Sequence, residues 1–186
     1  MSKLLTVEEG IEALVRQELI LYPTEGVYGI GADARNVELA KRICEIKGRP
    51  LSKGLIVLAD SLERLQDWIL PLTEEQKALM ETLDFGFHHT WLVPRTDQCP
   101  DVLSGDSSDL AVRLTTHPVA KALCEGFGAP LISTSANIQG EPAIMLEEDA
   151  LRFFDSEVTG VVAGRLGGIP QATKIQHIVT GKVYRA

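Results

Sequence analysis

A chain of 186 residues is long enough to bury one sizeable core, and two very small domains would each be hard to stabilise, so residues 1–186 are expected to form a single domain. Its 18 Lys and Arg against 26 Asp and Glu leave a net charge of −8, which excludes a protein whose whole surface grips nucleic acid but leaves room for a local basic groove. Cys44, Cys99 and Cys124 are odd in number and lack metal-like spacing, so reduced thiols in a cytoplasmic protein are expected and a zinc site is not. No apolar run is long enough for a membrane helix, and the first residues lead straight into a polar helix, so neither membrane insertion nor export is expected.

Thr6-Val7-Glu8-Glu9 is a capping box, and Ile11, Leu14 and Val15 recur at helical spacing, so residues 7–18 should form a helix packed by one stripe. Leu19-Ile20-Leu21 is a short strand that empties into Tyr22-Pro23-Thr24-Glu25-Gly26, after which Val27 to Gly31 resume, so that residues 26–31 hold three glycines in six positions. Glycine permits close backbone approach to a ligand, and loops at strand ends are where α/β proteins place polar function, so Thr24 and Glu25 become candidates. Neither GxxxxGK[ST] nor GxGxxG occurs here, and a nucleotide would have to be held by other means.

Asn36 can cap a second helix, with Leu39, Ile43 and Ile46 inward, which delivers Lys47 at its end. Residues 41–53 then hold five basic residues (Lys41, Arg42, Lys47, Arg49, Lys53) and one acid, Glu45, a local reversal of the chain's sign. Pro50 biases Arg49 toward extended backbone, where side chains two apart point the same way, so Lys47 and Arg49 are expected to form a prong. Arginine offers a planar fork and lysine a point charge to phosphate or carboxylate, which points to an anionic small molecule; a solvated helix end attracts the same residues. Leu55 to Ala59 is an apolar run without alternation, as in an interior strand covered on both faces.

Residues 60–68 and 73–83 carry cap signals for two packing helices, through Asp60/Glu63 and Thr73/Gln76. His88 to Pro94 reads as a loop entering a strand, with the adjacent histidines pointing apart and Thr90 the better lining residue. Residues 101–109 read as a turn-rich loop. Leu110 to Leu114 is a strand with Arg113 embedded in it, and a buried guanidinium needs either an acid of this protein or a ligand carboxylate. Pro118 suits the first turn of a helix that Gly126 and Gly128 can end. After Pro130-Leu131-Ile132 comes Ser133-Thr134-Ser135-Ala136-Asn137, whose two-residue period puts Ser133, Ser135 and Asn137 on one face if extended; a turn with Asn side-chain bonds is the other reading. Residues 146–154 suggest a helix, 158–163 a strand, 164–170 a loop containing Arg165, and 175–185 a hairpin around Thr180-Gly181. Alternating helices and strands favour an α/β or α+β fold, a mixed sheet flanked by helices.

With these motifs in view the chain resembles the YrdC-like family and, within it, the short bacterial threonylcarbamoyl-AMP synthases, over nearly its whole length. The carriers are Tyr22-Pro23-Thr24-Glu25 with Tyr28-Gly29-Ile30-Gly31, Lys47-Gly48-Arg49-Pro50 with Lys53-Gly54-Leu55, Ala111-Val112-Arg113, and Ser133-Thr134-Ser135-Ala136-Asn137. The resemblance implies a twisted mixed sheet with a concave, positively lined cleft. It also implies condensation of L-threonine, bicarbonate and ATP to threonylcarbamoyl-AMP and pyrophosphate, for a tRNA modification that partner proteins complete. On that reading Lys47 and Arg49 are catalytic, balancing the triphosphate as pyrophosphate leaves. ATP is bound by Lys47, Arg49, Ser133, Ser135, Asn137 and Arg185, and threonine or bicarbonate by Thr24, Lys53, Arg113 and Thr173. Mg2+ is expected with ATP and no protein-held metal; no covalent nucleophile is needed. The chain departs from the family pattern at Gly86-Phe87-His88-His89, where a proline-containing segment is usual before the threonine. It departs again at Thr173-Lys174-Ile175-Gln176-His177, where an acid is usual at the place of His177; that histidine is expected on the hairpin surface. An RNA-binding module, holding tRNA or double-stranded RNA by its phosphates, is the alternative from another class, and a steep loss of binding with salt would mark it.

Overall fold

The computed structural model describes residues 2–82, 89–153, 156–169 and 173–185. Ten strands form one mixed sheet: β1 Lys3–Leu5, β2 Ile20–Pro23, β3 Tyr28–Asp33, β4 Val57–Ala59, β5 His89–Pro94, β6 Asp109–Leu114, β7 Leu131–Ser135, β8 Gly160–Val162, β9 Lys174–His177 and β10 Val183–Arg185. They lie in the order β1-β8-β2-β3-β7-β4-β6-β5-β9-β10. The parallel pairs are β1/β8, β2/β8, β4/β6 and β5/β9, and the rest are antiparallel, so the expected mixed directions are present. The helices are α1 Val7–Val15, α2 Val37–Lys47, α3 Glu74–Met80, α4 Asp101–Ser104, α5 Pro118–Phe127 and α6 Glu147–Arg152.

Successive residues of the inner strands enter opposite cores, which is why their sequences do not alternate. From β2, Leu21 joins a cluster with Ala40, Ile43 and Cys44 of α2, while Ile20 and Tyr22 join one with Leu14 of α1 and Leu123 of α5. From β4, Val57 and Ala59 face the first cluster and Leu58 the second. Helices α1 and α5 therefore lie on one face and α2 on the other. On the α1 and α5 face the cover stops short: Leu58 pairs with Arg113 of β6, and Ala111 with Leu92 of β5, and these β6 and β5 positions border open space instead of a helix.

Several expectations are corrected. The first helix ends at Val15, which is exposed, and its buried stripe is Gly10, Ala13 and Leu14; Gly10 is placed where a Cβ would meet Val162 of β8 at 2.8 Å. Strand β1 was missed because three residues carry no period. Residues 60–68 hold only a 3₁₀ turn, Leu62–Leu65, since the Asp60 carboxylate takes the Arg64 guanidinium (3.1 Å) and does not cap. Thr73 does form its capping box with Gln76, but α3 stops at Met80; residue 83 lies outside the described residues, as do residues 86–88 of the departing loop, residue 154 and residue 170. The 101–109 stretch contains α4. Helix α5 is capped by His117, whose Nδ1 accepts from Ala120 N at 3.5 Å, a role its sequence did not announce.

Candidate active site

The bared sheet face floors a cleft of about 370 Å3, within the range of small-molecule sites. Of the ten residues expected in the site, eight border it: Thr24, Arg49, Lys53, Arg113, Ser133, Ser135, Thr173 and Arg185. They come from the β2–β3 turn, the segment after α2, β6, β7 and the C-terminal hairpin. Lys47 and Asn137 sit behind the wall, tied to the bordering Ser135.

Helix α2 ends by an αL residue, Gly48 (φ 61), with Arg49 N donating to Cys44 O at 2.8 Å. This left-handed step is the reason the expected prong does not form: backbone from 47 to 49 is not extended, and the two side chains part. Lys47 is 2% exposed, and its Nζ donates to Ser135 O (2.5 Å), Asn137 O (2.7 Å) and Asn137 Oδ1 (3.1 Å). Burial, then the neighbouring Arg49, lower its ammonium to about 8 against a smaller opposing effect of Cys44. Arg49 turns to the cleft, its Nε donating to Gly54 O (2.9 Å) and one Nη to Lys53 O (3.3 Å). Burial depresses the Arg49 pKa from its ordinary value. The seat of this segment is a pair of interlocked turns. Gly54 (φ +61) and Gly105 (φ +62) each lie where a Cβ would strike the other turn, 2.5 Å from Leu103 O and 2.2 Å from Ser52 O.

Arg113 meets an acid of its own protein, Glu25, with Nη2 to Oε2 at 2.5 Å and both side chains at or below 10% exposure. Thr115 Oγ1 donates to the other Glu25 oxygen at 2.7 Å. The Arg113 Nε is buried without a hydrogen-bond partner among the described residues, and the residue borders the cleft. Thr24 Oγ1 donates to Val27 O at 2.7 Å. Strand β7 ends at Ser135, and Asn137 is carried by a turn instead of the extended row: its N donates to Ser135 O (3.0 Å), and its Oδ1 accepts from Ser135 Oγ (2.6 Å).

Thr90 is fully buried and is not among the residues that border this cleft; its hydroxyl bonds that of Thr173, which does, at 2.6 Å. Arg185 donates twice to Thr173 O (3.0 and 2.6 Å), and burial, followed by the nearby charge of Arg113, lowers its pKa. His177 is half-buried and off the surface position expected for it, with Nε2 3.3 Å from Asp109 Oδ2, and Nδ1 accepting from Val179 N and Thr180 N. Sequence reading did not reach Ser104, Ser107, Asp109 or Tyr184, which also border the cleft. Singly they carry no signal.

Fold and site together define an α/β protein in which a mixed sheet leaves part of one face open as a cleft lined by four cations (Arg49, Lys53, Arg113, Arg185) and, among the bordering residues, one carboxylate, Asp109. A family model, Sua5/YciO/YrdC, described as telomere recombination, matches residues 12–186. The chain belongs to that family. Among similar proteins, the threonylcarbamoyl-AMP synthase of Xanthomonas campestris pv. campestris (strain B100) is 41% identical over 180 residues, covering 96% of each chain. That of Methylobacillus flagellatus is 44% identical over 167 residues, covering 90% of this chain and 92% of the other. Among solved structures, P. abyssi Sua5 complexed with L-threonine superimposes with a TM-score of 0.84 at 29% identity over 92% of this chain, which spans only 50% of that protein. E. coli YciO gives 0.84 at 22% identity, covering 100% and 95%, a likeness of fold.

Proposed function

We propose that this protein is a threonylcarbamoyl-AMP synthase, condensing L-threonine, bicarbonate and ATP to threonylcarbamoyl-AMP and pyrophosphate for tRNA modification. The observation that carries it is the meeting, in one cleft, of the Arg49–Lys53 segment, the Ser133–Ser135 strand end and Arg113, in a chain about 40% identical to synthases over nearly its length. The threonine amine adds to bicarbonate with loss of water, and a carbamate oxygen then displaces pyrophosphate from the α-phosphorus. Each step needs positioning and charge stabilisation, and no protein nucleophile.

Arg113, which borders the cleft together with Thr24, is assigned the threonine carboxylate, Thr24 and Thr173 the remaining polar groups of threonine or bicarbonate, and Arg49, Lys53 and Arg185 the phosphates. Ser133 faces the nucleotide, and Lys47 and Asn137 act from behind the wall through Ser135, which also borders the cleft. Mg2+ enters as part of MgATP, as the substrate's counter-ion. Cytoplasmic residence belongs to the same reading and suits three unpaired, buried cysteines. Partner proteins then pass the mixed anhydride on to tRNA.

The test is incubation of the purified protein with MgATP, L-threonine and labelled bicarbonate, followed by mass spectrometry. Label in a threonylcarbamoyl adenylate, with stoichiometric pyrophosphate, is expected. Absence of both from a folded preparation overturns the assignment.

A further inference from the structure

The hydrogen bonds behind the cleft wall form a chain with a defined direction. Lys47 Nζ has three N–H donors and no acceptor, and all three are matched by Ser135 O, Asn137 O and Asn137 Oδ1. An ammonium cannot donate to an amide NH2, so the carboxamide of Asn137 is fixed in one orientation. Its Nδ2 is held the same way from the other side, donating to Ile138 O (3.0 Å) and Glu141 O (2.7 Å). The Asn137 Oδ1 is thus an acceptor only, and the contact of 2.6 Å from Ser135 Oγ uses the serine's single proton. What remains on Ser135, which borders the cleft, is lone pairs. The clasp is closed through the main chain as well, since Gln139 N donates to Lys47 O at 2.9 Å.

We propose that Lys47 and Asn137 are positioning residues that fix the polarity of Ser135, so that its hydroxyl meets the substrates as a hydrogen-bond acceptor and recognises an N–H or O–H donor, not a phosphate oxygen. The inference rests on the synthase reading for the identity of the ligands. Two sources offer such a donor: the α-amino group of L-threonine and the ribose hydroxyls of ATP. Phosphate oxygens are acceptors at neutral pH, and two acceptors facing each other repel. A phosphate contact by Lys47 itself would forfeit its three bonds to the partly buried Ser135 O, Asn137 O and Asn137 Oδ1.

Binding measured by calorimetry without turnover separates the alternatives, with L-threonine, ATP and inorganic pyrophosphate as probes. Ser135→Ala is expected to leave pyrophosphate affinity within about twofold and to weaken one other probe by roughly tenfold: L-threonine if the donor is the amine, ATP if it is the ribose. Lys47→Met and Asn137→Ala should weaken that same probe and spare pyrophosphate, and neither should add to Ser135→Ala in a double mutant. Asn137→Ala leaves Lys47 its two carbonyls, so it reads the polarity of Ser135 even if Lys47→Met fails to fold. A tenfold loss of pyrophosphate affinity in Ser135→Ala or Lys47→Met overturns the inference, as does Ser135→Ala without effect on any probe, or additive losses. Wild-type protein that makes the anhydride while a variant fails in this way leaves the synthase reading standing. Wild type that makes none overturns that reading whatever the binding shows.

Discussion

Two cations that border the cleft, Arg113 and Arg49, are held by different means. Arg113 is matched by a carboxylate of its own protein, Glu25, itself braced by Thr115. Among the described residues Arg49 is held by carbonyl oxygens, those of Gly54 and Lys53, and nearby Lys53 is exposed. A matched buried pair aims donors without leaving net charge, whereas an arginine held by neutral carbonyls keeps its full charge for whatever arrives. The first arrangement suits a ligand that must be oriented, such as an amino acid carboxylate. The second suits one whose charge grows during reaction, such as a departing pyrophosphate.

Glu25→Ala should break this contrast most severely, leaving the Arg113 charge buried and alone; a loss of about 3–5 kcal/mol in unfolding free energy is expected from denaturant titration. Glu25→Gln, which keeps an acceptor, should lose less, and equal losses would mean that charge matching is unimportant here. Arg49→Ala should do the reverse, holding the fold nearly unchanged while kcat/KM falls by about 10²–10³-fold, of the order of removing one oxyanion donor. A Tm lowered in proportion to the lost activity would instead make Arg49 a structural brace for Gly54.

Between these in chemistry, and smaller in size, lies Lys47. Its folded pKa, about 8, is below the ordinary lysine value of 10.5, so between those limits the unfolded chain binds more protons than the folded one. This group's contribution to stability therefore rises with pH through that window, seen as a difference between wild type and Lys47→Met. Over the same range the ammonium loses one of its three N–H donors, and affinity for the ligand held by Ser135 should fall by a few fold. Binding and stability moving together would contradict this account. Thr73→Ala, which removes the capping box of α3 at a position that does not border the cleft, is the smallest: about 1 kcal/mol by thermal melting, with turnover unchanged.

Much of the fold could be read from local chemistry. The capping boxes at Thr6 and Thr73, the Asn36 cap, the Pro118 start and Gly128 end of α5, and the unalternating run at 55–59 each act over a few residues, and each stands in the structure. The site was legible as a set of residue types, but the direction of its side chains was not. A single left-handed residue, Gly48, separates Lys47 from Arg49, and proline bias on the following residue could not reveal it. Arg113 announced that it needed a partner, without saying that Glu25, 88 positions away, would supply one.

Sequence alone determined most of the elements that form, the ends of α2 and α5, and that cations and hydroxyls gather in a few short stretches, because caps, periodicity and composition are local properties. Only the tertiary structure decided which charges are matched and which stay open, and which way the Ser135 proton points. Those outcomes depend on donors and acceptors from segments far apart in the chain, such as Lys47 with Asn137 and Arg113 with Glu25, brought within about 3 Å by a sheet whose strand order departs from the order of the sequence.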